Sequence, residues 1–271
     1  MKQKKQRLID RLLEMGACPN EREAAARVMA GEVYVGGQIA KNGAMVRPED
    51  VVTLKGTLPY ASKGGFKLSG ALQDFGLSVS GRVCIDAGAS TGGFTDCLVQ
   101  RGVALVYAVD VGFGQLMGRL RQDAHVVNLE RTNIGDEGLL ALSPRPDFGT
   151  VDVSYLSLRK AIPYFSAILH GQGELCCLIK PLFEIDDAQA RRTGVIAEES
   201  YAPLLLDLIR DVNAMPGAAA AQITHSHVTG NAGTREFFLH VALGRACPPI
   251  PQEAVYAAVA RAQELERYKK S

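Results

Sequence analysis

The stretch "CIDAGASTGGFTD", residues 84 to 96, decides the fold. It opens on an apolar run ending in an acid, Asp86, passes through a loop holding Gly88, Gly92 and Gly93, and continues into a helix-like segment. Strand, glycine loop, helix is the first unit of an open α/β sheet that binds a nucleotide-like ligand. The glycines let backbone approach the ligand, and the helix N-terminus aims N–H groups at its polar part. The spacing does not fit the dinucleotide fingerprint G-x-G-x-x-G, because counting from Gly88 the second glycine falls on Ser90. A nicotinamide-dependent oxidoreductase is disfavoured on that ground. A second acid, Asp110 in "VYAVDVG", lies 22 residues after Gly88, about the interval at which a carboxylate meets ribose hydroxyls in such folds. Two acids around this loop suit S-adenosylmethionine (SAM). Asp86 is expected near its cationic methionine end, Asp110 at its ribose, and Gly88, Ala89, Ser90, Thr91, Gly92 and Gly93 along it. Glu130, in "NLERTN", follows the third strand where adenine-contacting residues commonly lie.

Outward from this loop the pattern repeats. "RVCIDAG", "VALVYAVDV", "AHVVNL", "FGTVDV" and "ELCCLIK" are short apolar runs, with helix-like stretches near 93–101, 114–121, 136–142 and 157–169 between them. Such alternation predicts a parallel sheet with helices on both faces. After a further helix near 199–213, "AAAQITHSHVTGNAGTREFFLHVAL" reads as two strands around a Gly/Asn turn, an antiparallel hairpin at the sheet edge. The last segment, 252–268, is a polar amphipathic helix. Before the sheet, residues 1–55 form a separate module. Leu8, Ile9, Leu12 and Leu13 make a helical stripe, and "CPNEREAAARVMAGE" a second helix between Asn20 and Gly31. Strands follow in "EVYVGGQIAKNG", with a glycine turn, and in "DVVTLKG". The expected organisation is therefore 1–55 module, 56–65 linker ("GTLPYASKGG"), 66–246 main domain and 247–271 helical extension. The fold class is α/β: a Rossmann-like, seven-stranded, mostly parallel sheet with a terminal antiparallel hairpin, plus a small N-terminal α+β domain.

The net charge of +1 on 271 residues means that any nucleic-acid contact must come from local clustering. Residues 1–55 carry ten basic side chains against seven acidic, five of the ten within the first eleven positions. Lys4, Lys5, Arg7, Arg11 and Arg22 are candidate phosphate contacts, with a merely solvated face as the alternative. Lys63, and Arg191 and Arg192 in the loop-like "DDAQARRTGV", are further candidates for RNA. No apolar stretch is long enough to cross a membrane, and the charged start has no signal-peptide core. Six cysteines without a Cys-x-x-Cys pair read as reduced, buried thiols, and the expected location is cytoplasmic. His225 and His227 share a strand face, but no third ligand is evident, so no metal is expected.

The acceptor chemistry must sit at the strand tips, where open α/β sheets place ligands. The fourth strand ends at Asp152 in "TVDVSYLSL" and the fifth at Lys180 in "CLIKPLFE", residues 177–184. A buried cationic lysine costs several kcal/mol, and Pro181 ends the ladder by lacking an N–H. A strand that delivers an ammonium to its tip therefore needs a carboxylate beside it, and Asp152 supplies one. A lysine so paired can orient a hydroxyl and help accept its proton; a purely structural Lys–Asp pair is the competing reading. Neither an Asn/Asp-Pro-Pro-aromatic turn for amino-group methylation nor a cysteine nucleophile for base-carbon methylation is present. Lys67, in the first turn of the helix in "SKGGFKLSGAL", is electrostatically misplaced at a helix N-terminus. Glu236, at the mouth of the last strand on the face of Phe238 and His240, also needs a partner.

Lys67, Asp152, Lys180 and Glu236, with "DAGASTGGFTD" between, resemble the Lys-Asp-Lys-Glu tetrad of FtsJ-like ribose 2'-O-methyltransferases. "GGFKLSGAL", "VDVGFGQL", "LERTN", "DVSYLSL" and "KPLFE" resemble, in order, segments of the TlyA family, once named haemolysins, whose members methylate cytidine 2'-hydroxyls in rRNA. Residues 1–55 resemble the S-four RNA-binding domain of that family. Leu182 stands where the family usually has glutamine, and Glu21-Arg22 where Ser-Arg is typical. The resemblance implies SAM as methyl donor and ribosomal RNA or a ribosomal subunit as partner. It implies catalysis by Lys180 aided by Asp152 and Lys67, with Glu236 holding the lysines and no metal required. A non-catalytic RNA-binding protein with a vestigial fold is one alternative. A pore-forming haemolysin is another, opposed by the lack of a membrane-spanning or strongly amphipathic apolar segment.

Overall fold

The computed structural model describes residues 5–15, 17–35, 38–47, 50, 52–54, 60–230 and 233–265. Lys4, the glycine turn at 36–37, residues 56–59 of the expected linker, Asn231 of the hairpin turn and the last three residues of the helix expected over 252–268 lie outside the described residues. Contacts divide the chain into two units, residues 1–59 and 60–271.

The first unit contains β1 (Gln6–Arg7), α1 (Leu8–Glu14), α2 (Glu21–Met29), β2 (Val33–Val35), β3 (Gln38–Ile39), β4 (Met45–Val46) and β5 (Val52–Leu54). β1 pairs with β4, and β2 lies between β3 and β5, all antiparallel. Leu8 and Leu12, one helical turn apart, are buried with Ala24, Val28, Val33 and Val46. Asn20 fixes the start of α2: its side chain accepts the Glu23 N–H at 2.9 Å, a cap worth about 1 kcal/mol.

The second unit runs α3 (Lys63–Phe75), β6 (Val83–Ala87), α4 (Gly93–Gln100), β7 (Leu105–Asp110), α5 (Gly118–Arg121), β8 (Val126–Glu130), β9 (Phe148–Val151) and α6 (Leu158–Ile168). It continues with β10 (Gly173–Ile179), α7 (Pro181–Glu184), α8 (Ala188–Thr193), α9 (Tyr201–Asn213), β11 (Ala218–His225), β12 (Phe237–Leu243) and α10 (Gln252–Glu264). Seven strands form one sheet in the order β11-β12-β10-β9-β6-β7-β8. β12 is antiparallel to both its neighbours, and the other pairings are parallel. Strands buried on both faces read as continuous apolar runs, and two cores form accordingly. Phe165, Leu205, Phe237 and Leu239 belong to one, and Leu68, Phe94, Cys97 and Phe238 to the other. The alternation of Phe237 and Phe238 between them is the period of two that a strand imposes.

Two expected helices are much reduced. The stretch 114–121 keeps only the single turn of α5, and 136–142 forms a 3-10 turn over Glu137–Ala141. Gly114, Gly118 and Gly138 fall in these stretches, and each glycine costs about 1 kcal/mol in a helix interior. All six cysteines are free, five of them buried. Among the described residues no helix is long and apolar enough to cross a membrane.

Candidate active site

The parallel neighbours β9 and β10 each stop one residue short of a charged side chain. The next residues are Asp152 and Lys180, and Lys180 Nζ lies 2.6 Å from Asp152 Oδ1. Lys180 also donates to Ser154 Oγ at 3.1 Å. On the other side of β10, the register Ile179↔Phe237 brings Glu236, the residue before β12, next to Lys180. Glu236 is 6% exposed, and its Oε2 accepts from Nζ of Lys67, also buried, on α3, at 2.5 Å. Burial pushes the Glu236 carboxyl above its usual range, and Lys67 pulls it back only in part. These four side chains line one cleft of about 990 Å³, together with Ser90 and Thr91 of the glycine loop.

"KPLFE" is held from both ends. Pro181 opens α7, where its missing N–H leaves nothing unsatisfied. At the far end the Glu184 side chain is 2% exposed and paired with Arg159 at 2.9 Å. It accepts the Leu158 N–H at 2.7 Å and the Ser157 hydroxyl at 2.6 Å, capping α6. The turn that carries Lys180 is thereby pinned to the helix after β9, the strand that carries Asp152.

The glycine loop is shaped by backbone demands. Gly88 has φ +85°, and a Cβ there would lie 2.4 Å from the Asp152 carbonyl oxygen. A Cβ on Gly93 would lie 2.2 Å from Ser62 Oγ. Asp110 accepts the Ser90 N–H at 2.8 Å and the Gly112 N–H at 2.7 Å, which ties the loop to the tip of β7. Ala89 points into a small core with Leu116 and Leu120, so it contributes backbone and not side chain to the cleft. Glu130 stands opposite Asp110 in the β7–β8 register. Its Oε1 is buried without a hydrogen-bond partner, and the Gly114 N–H helps hold the carboxyl below its usual range.

Asp86 requires a correction. It is fully buried, and its two oxygens accept from the Thr95 hydroxyl at 2.7 Å and the Thr150 hydroxyl at 2.8 Å. From there it cannot meet the methionine end of a ligand directly; it braces the loop from beneath. Burial pushes its carboxyl up to about 6 from 3.8. The folded state therefore binds the proton more tightly than the unfolded chain. Asp86 contributes stability that is full below the unfolded value and is lost as pH rises through the folded one. We expect the unfolding free energy of the wild type, relative to Asp86→Asn, to fall by about 2 kcal/mol between about pH 4 and pH 7. Urea titrations of both proteins across that range check it; a pH-independent difference would refute it.

The basic candidates are placed unevenly. Arg7 is held by Asp10 at 2.6 Å and Glu21 at 2.9 Å, and Arg11 lies 3.7 Å from Glu14. Lys5 and Arg22 are exposed. Lys63, the first residue of α3, lines the cleft. The stretch 186–195 is not a featureless loop, since Asp187 caps α8 within it. Arg191 folds back, its Nε donating to the Ile185 carbonyl at 2.9 Å, while Arg192 is exposed. Sequence reasoning passed over three anchors. Ser154 holds Lys180. Asp96, fully buried, accepts the Ala61 N–H at 2.6 Å and pairs with Arg119. Tyr155, at the cleft rim, is 90% exposed with φ +66° and packs its ring 5.1 Å from Phe183. The third side chain not evident beside His225 and His227 in the sequence is Asp74, which stands close enough to share an ion with them.

Comparison with known proteins agrees with this geometry. Residues 60–243 match the model of the FtsJ-like methyltransferases, and residues 6–52 match that of the S4 domain. YqxC of Bacillus subtilis is 35% identical over 277 residues, which cover 100% of this chain and 99% of that protein. The Mycobacterium tuberculosis protein named 16S/23S rRNA (cytidine-2'-O)-methyltransferase TlyA is 35% identical over 84% of this chain and 86% of its own length. A solved structure of a Streptococcus thermophilus protein that carries a hemolysin name superposes with a TM-score of 0.72, at 33% identity over 96% of each chain. The chain belongs to the FtsJ-like methyltransferase family, with an S4 domain ahead of its methyltransferase domain.

Proposed function

We propose that this protein transfers a methyl group from SAM to the 2'-hydroxyl of a cytidine in ribosomal RNA. The observation that carries the reading is the convergence of Lys67, Asp152, Lys180 and Glu236 on the cleft beside the glycine loop. In this reading residues 66–246 are the catalytic domain, and residues 1–55 hold the RNA through exposed basic side chains such as Lys5 and Arg22. The relative from Mycobacterium tuberculosis, whose name states this activity, supports the choice of cytidine and of ribosomal RNA.

The residues present fit SAM. Glu130 Oε1 is a buried acceptor without a partner, in register with Asp110, and so suits an amine or hydroxyl of the cofactor. Gly88, Gly92 and Gly93 let backbone approach a ligand closely, and Ser90 and Thr91 line the cleft beside them. When bound, SAM supplies an electrophilic methyl on a sulfonium. The chain's own residues prepare the nucleophile. Lys180, fixed by Asp152 and Ser154, orients the ribose hydroxyl and stabilises the negative charge that grows on its oxygen as its proton passes to the Lys180–Asp152 pair, with S-adenosylhomocysteine as the leaving group of the transfer. Lys67 adds positive potential, and Glu236 keeps both lysines in register. Positioning alone is worth about 7–11 kcal/mol in favourable cases.

Gly88→Ala is expected to weaken SAM binding by about tenfold or more, since a left-handed alanine costs about 1–2 kcal/mol before its clash with the Asp152 carbonyl is counted. Calorimetric titration with SAM checks it, and undiminished affinity would remove the loop from the cofactor site. The function itself is tested by methyl transfer from labelled SAM to purified, unmodified ribosomal subunits, with the label mapped by nucleotide. Label on a cytidine 2'-oxygen supports the reading and identifies the subunit; label on a base would overturn it. SAM binding without any transfer would favour a non-catalytic RNA-binding role.

A further inference from the structure

Asp74 lies on α3 seven residues after Lys67, two helical turns along the same face. Opposite it stand His225, the last residue of β11, and His227 just beyond. One ligand atom from each of the three side chains lies within 4.8 Å of the others. Asp74 Oδ2 is 2.9 Å from His227 Nε2 and accepts the Thr224 hydroxyl at 2.6 Å. The two imidazoles stack with centroids 4.9 Å apart. The helix is recessed to receive them: a Cβ on Gly70 would lie 2.6 Å from the His227 ring.

A His227–Asp74 ion pair accounts for two of the three residues. It leaves His225 Nδ1 buried without a hydrogen-bond partner, which is costly for a polar ring atom. A cation held among the three side chains would give the His225 ring a partner. We propose that Asp74, His225 and His227 form a binding site for a divalent transition-metal ion of the zinc type, separate from the methyl-transfer cleft. Two imidazoles and one carboxylate are a donor set that zinc takes, with water in a fourth position. The nitrogens argue against magnesium and calcium, which prefer oxygen. Zinc–ligand distances near 2.0–2.1 Å put neighbouring ligand atoms about 3.3 Å apart, a value inside the span these atoms already occupy. Thr224 is then the outer hydrogen bond that aims the carboxylate. The side chains of His227 and Asp74 are 40% and 26% exposed, so an ion can reach them.

The ion would act as a clip. It would join α3, which carries Lys67, to β11, whose partner strand β12 follows Glu236 directly. The site would thus brace the two elements behind the Lys67–Glu236 pair without touching a reacting group.

The test uses the full chain, free of any affinity tag and stripped with a chelator. Zinc is titrated in competition with a chromophoric chelator, and cobalt(II) is added separately to read the ligand field. One equivalent of zinc is expected to bind and to raise the melting temperature. Cobalt is expected to give visible bands of a tetrahedral N/O site. His225→Gln and Asp74→Asn should each weaken binding by about 100-fold and abolish the melting shift, and Thr224→Val should weaken it by about tenfold. Circular dichroism of each variant before metal addition establishes that it is folded. No stoichiometric binding, affinity indifferent to all three substitutions, or a sulfur-to-cobalt charge-transfer band from a cysteine site would each overturn the proposal.

Discussion

Lys180→Ala is expected to slow methyl transfer by about 10²–10⁴-fold, the range for a positioned group that handles a proton or a developing charge. SAM affinity should be unchanged, because in the proposed mechanism Lys180 acts on the ribose hydroxyl and not on the cofactor. The size follows from how tightly Nζ is held: Asp152 Oδ1 sits 2.6 Å away and Ser154 Oγ 3.1 Å away. Lys67, the other ammonium of the tetrad in this cleft, is held by Glu236 and so does not take its place. Lys180→Arg should not rescue, since a planar fork cannot occupy the place of a compact ammonium between those two partners. Single-turnover transfer to subunits, with SAM in excess, separates the chemical step from product release. A Lys180→Ala enzyme within a few-fold of wild type in that assay would leave the pair a structural one.

Much of this site could be read in one dimension because it lies at strand ends. An apolar run that stops on a charge marks both the sheet and its tip, which is how Asp152, Lys180 and the loop at 88–93 became legible. What failed to be legible is depth and long range. "DAG" gives the order of Asp86 and its loop, but the hydroxyls of Thr95 and Thr150 that bury it come from α4 and β9. Asp74 and His227 are separated by 153 positions and meet only because α3 packs beside β11. Glu184 looked like the tail of a motif, and its role as the cap of α6 depends on a residue pair 26 positions apart. The glycine-rich stretches after β7 and β8 carried apolar residues at helical spacing, yet formed single turns, because periodicity does not register the backbone entropy that glycine loses.

Glu236→Ala is expected to destabilise the fold by about 3–5 kcal/mol, because it strands Lys67 as an unpaired cation in a buried place. Glu236→Gln should cost far less. It keeps an acceptor for Nζ, and the carboxyl it replaces is one whose folded value burial has already raised. A raised carboxyl contributes stability that is full below its unfolded value and is lost as pH rises through the folded one. The wild type should therefore lose stability relative to Glu236→Gln as pH rises from about 4.5 upward. The double variant Lys67→Met, Glu236→Leu decides what the pair is for. Replacing both charges with apolar side chains of similar volume commonly restores or exceeds the original stability, so this protein should melt near or above wild type. Its methyl transfer should nevertheless be lost, since the cleft then lacks both the potential of Lys67 and the carboxylate that registers it against Lys180. Denaturant titration and the subunit assay, run on the same preparations, read the two quantities apart. A stable double variant with full activity would show that the buried pair serves the fold alone, and would reduce the reacting machinery to Asp152 and Lys180.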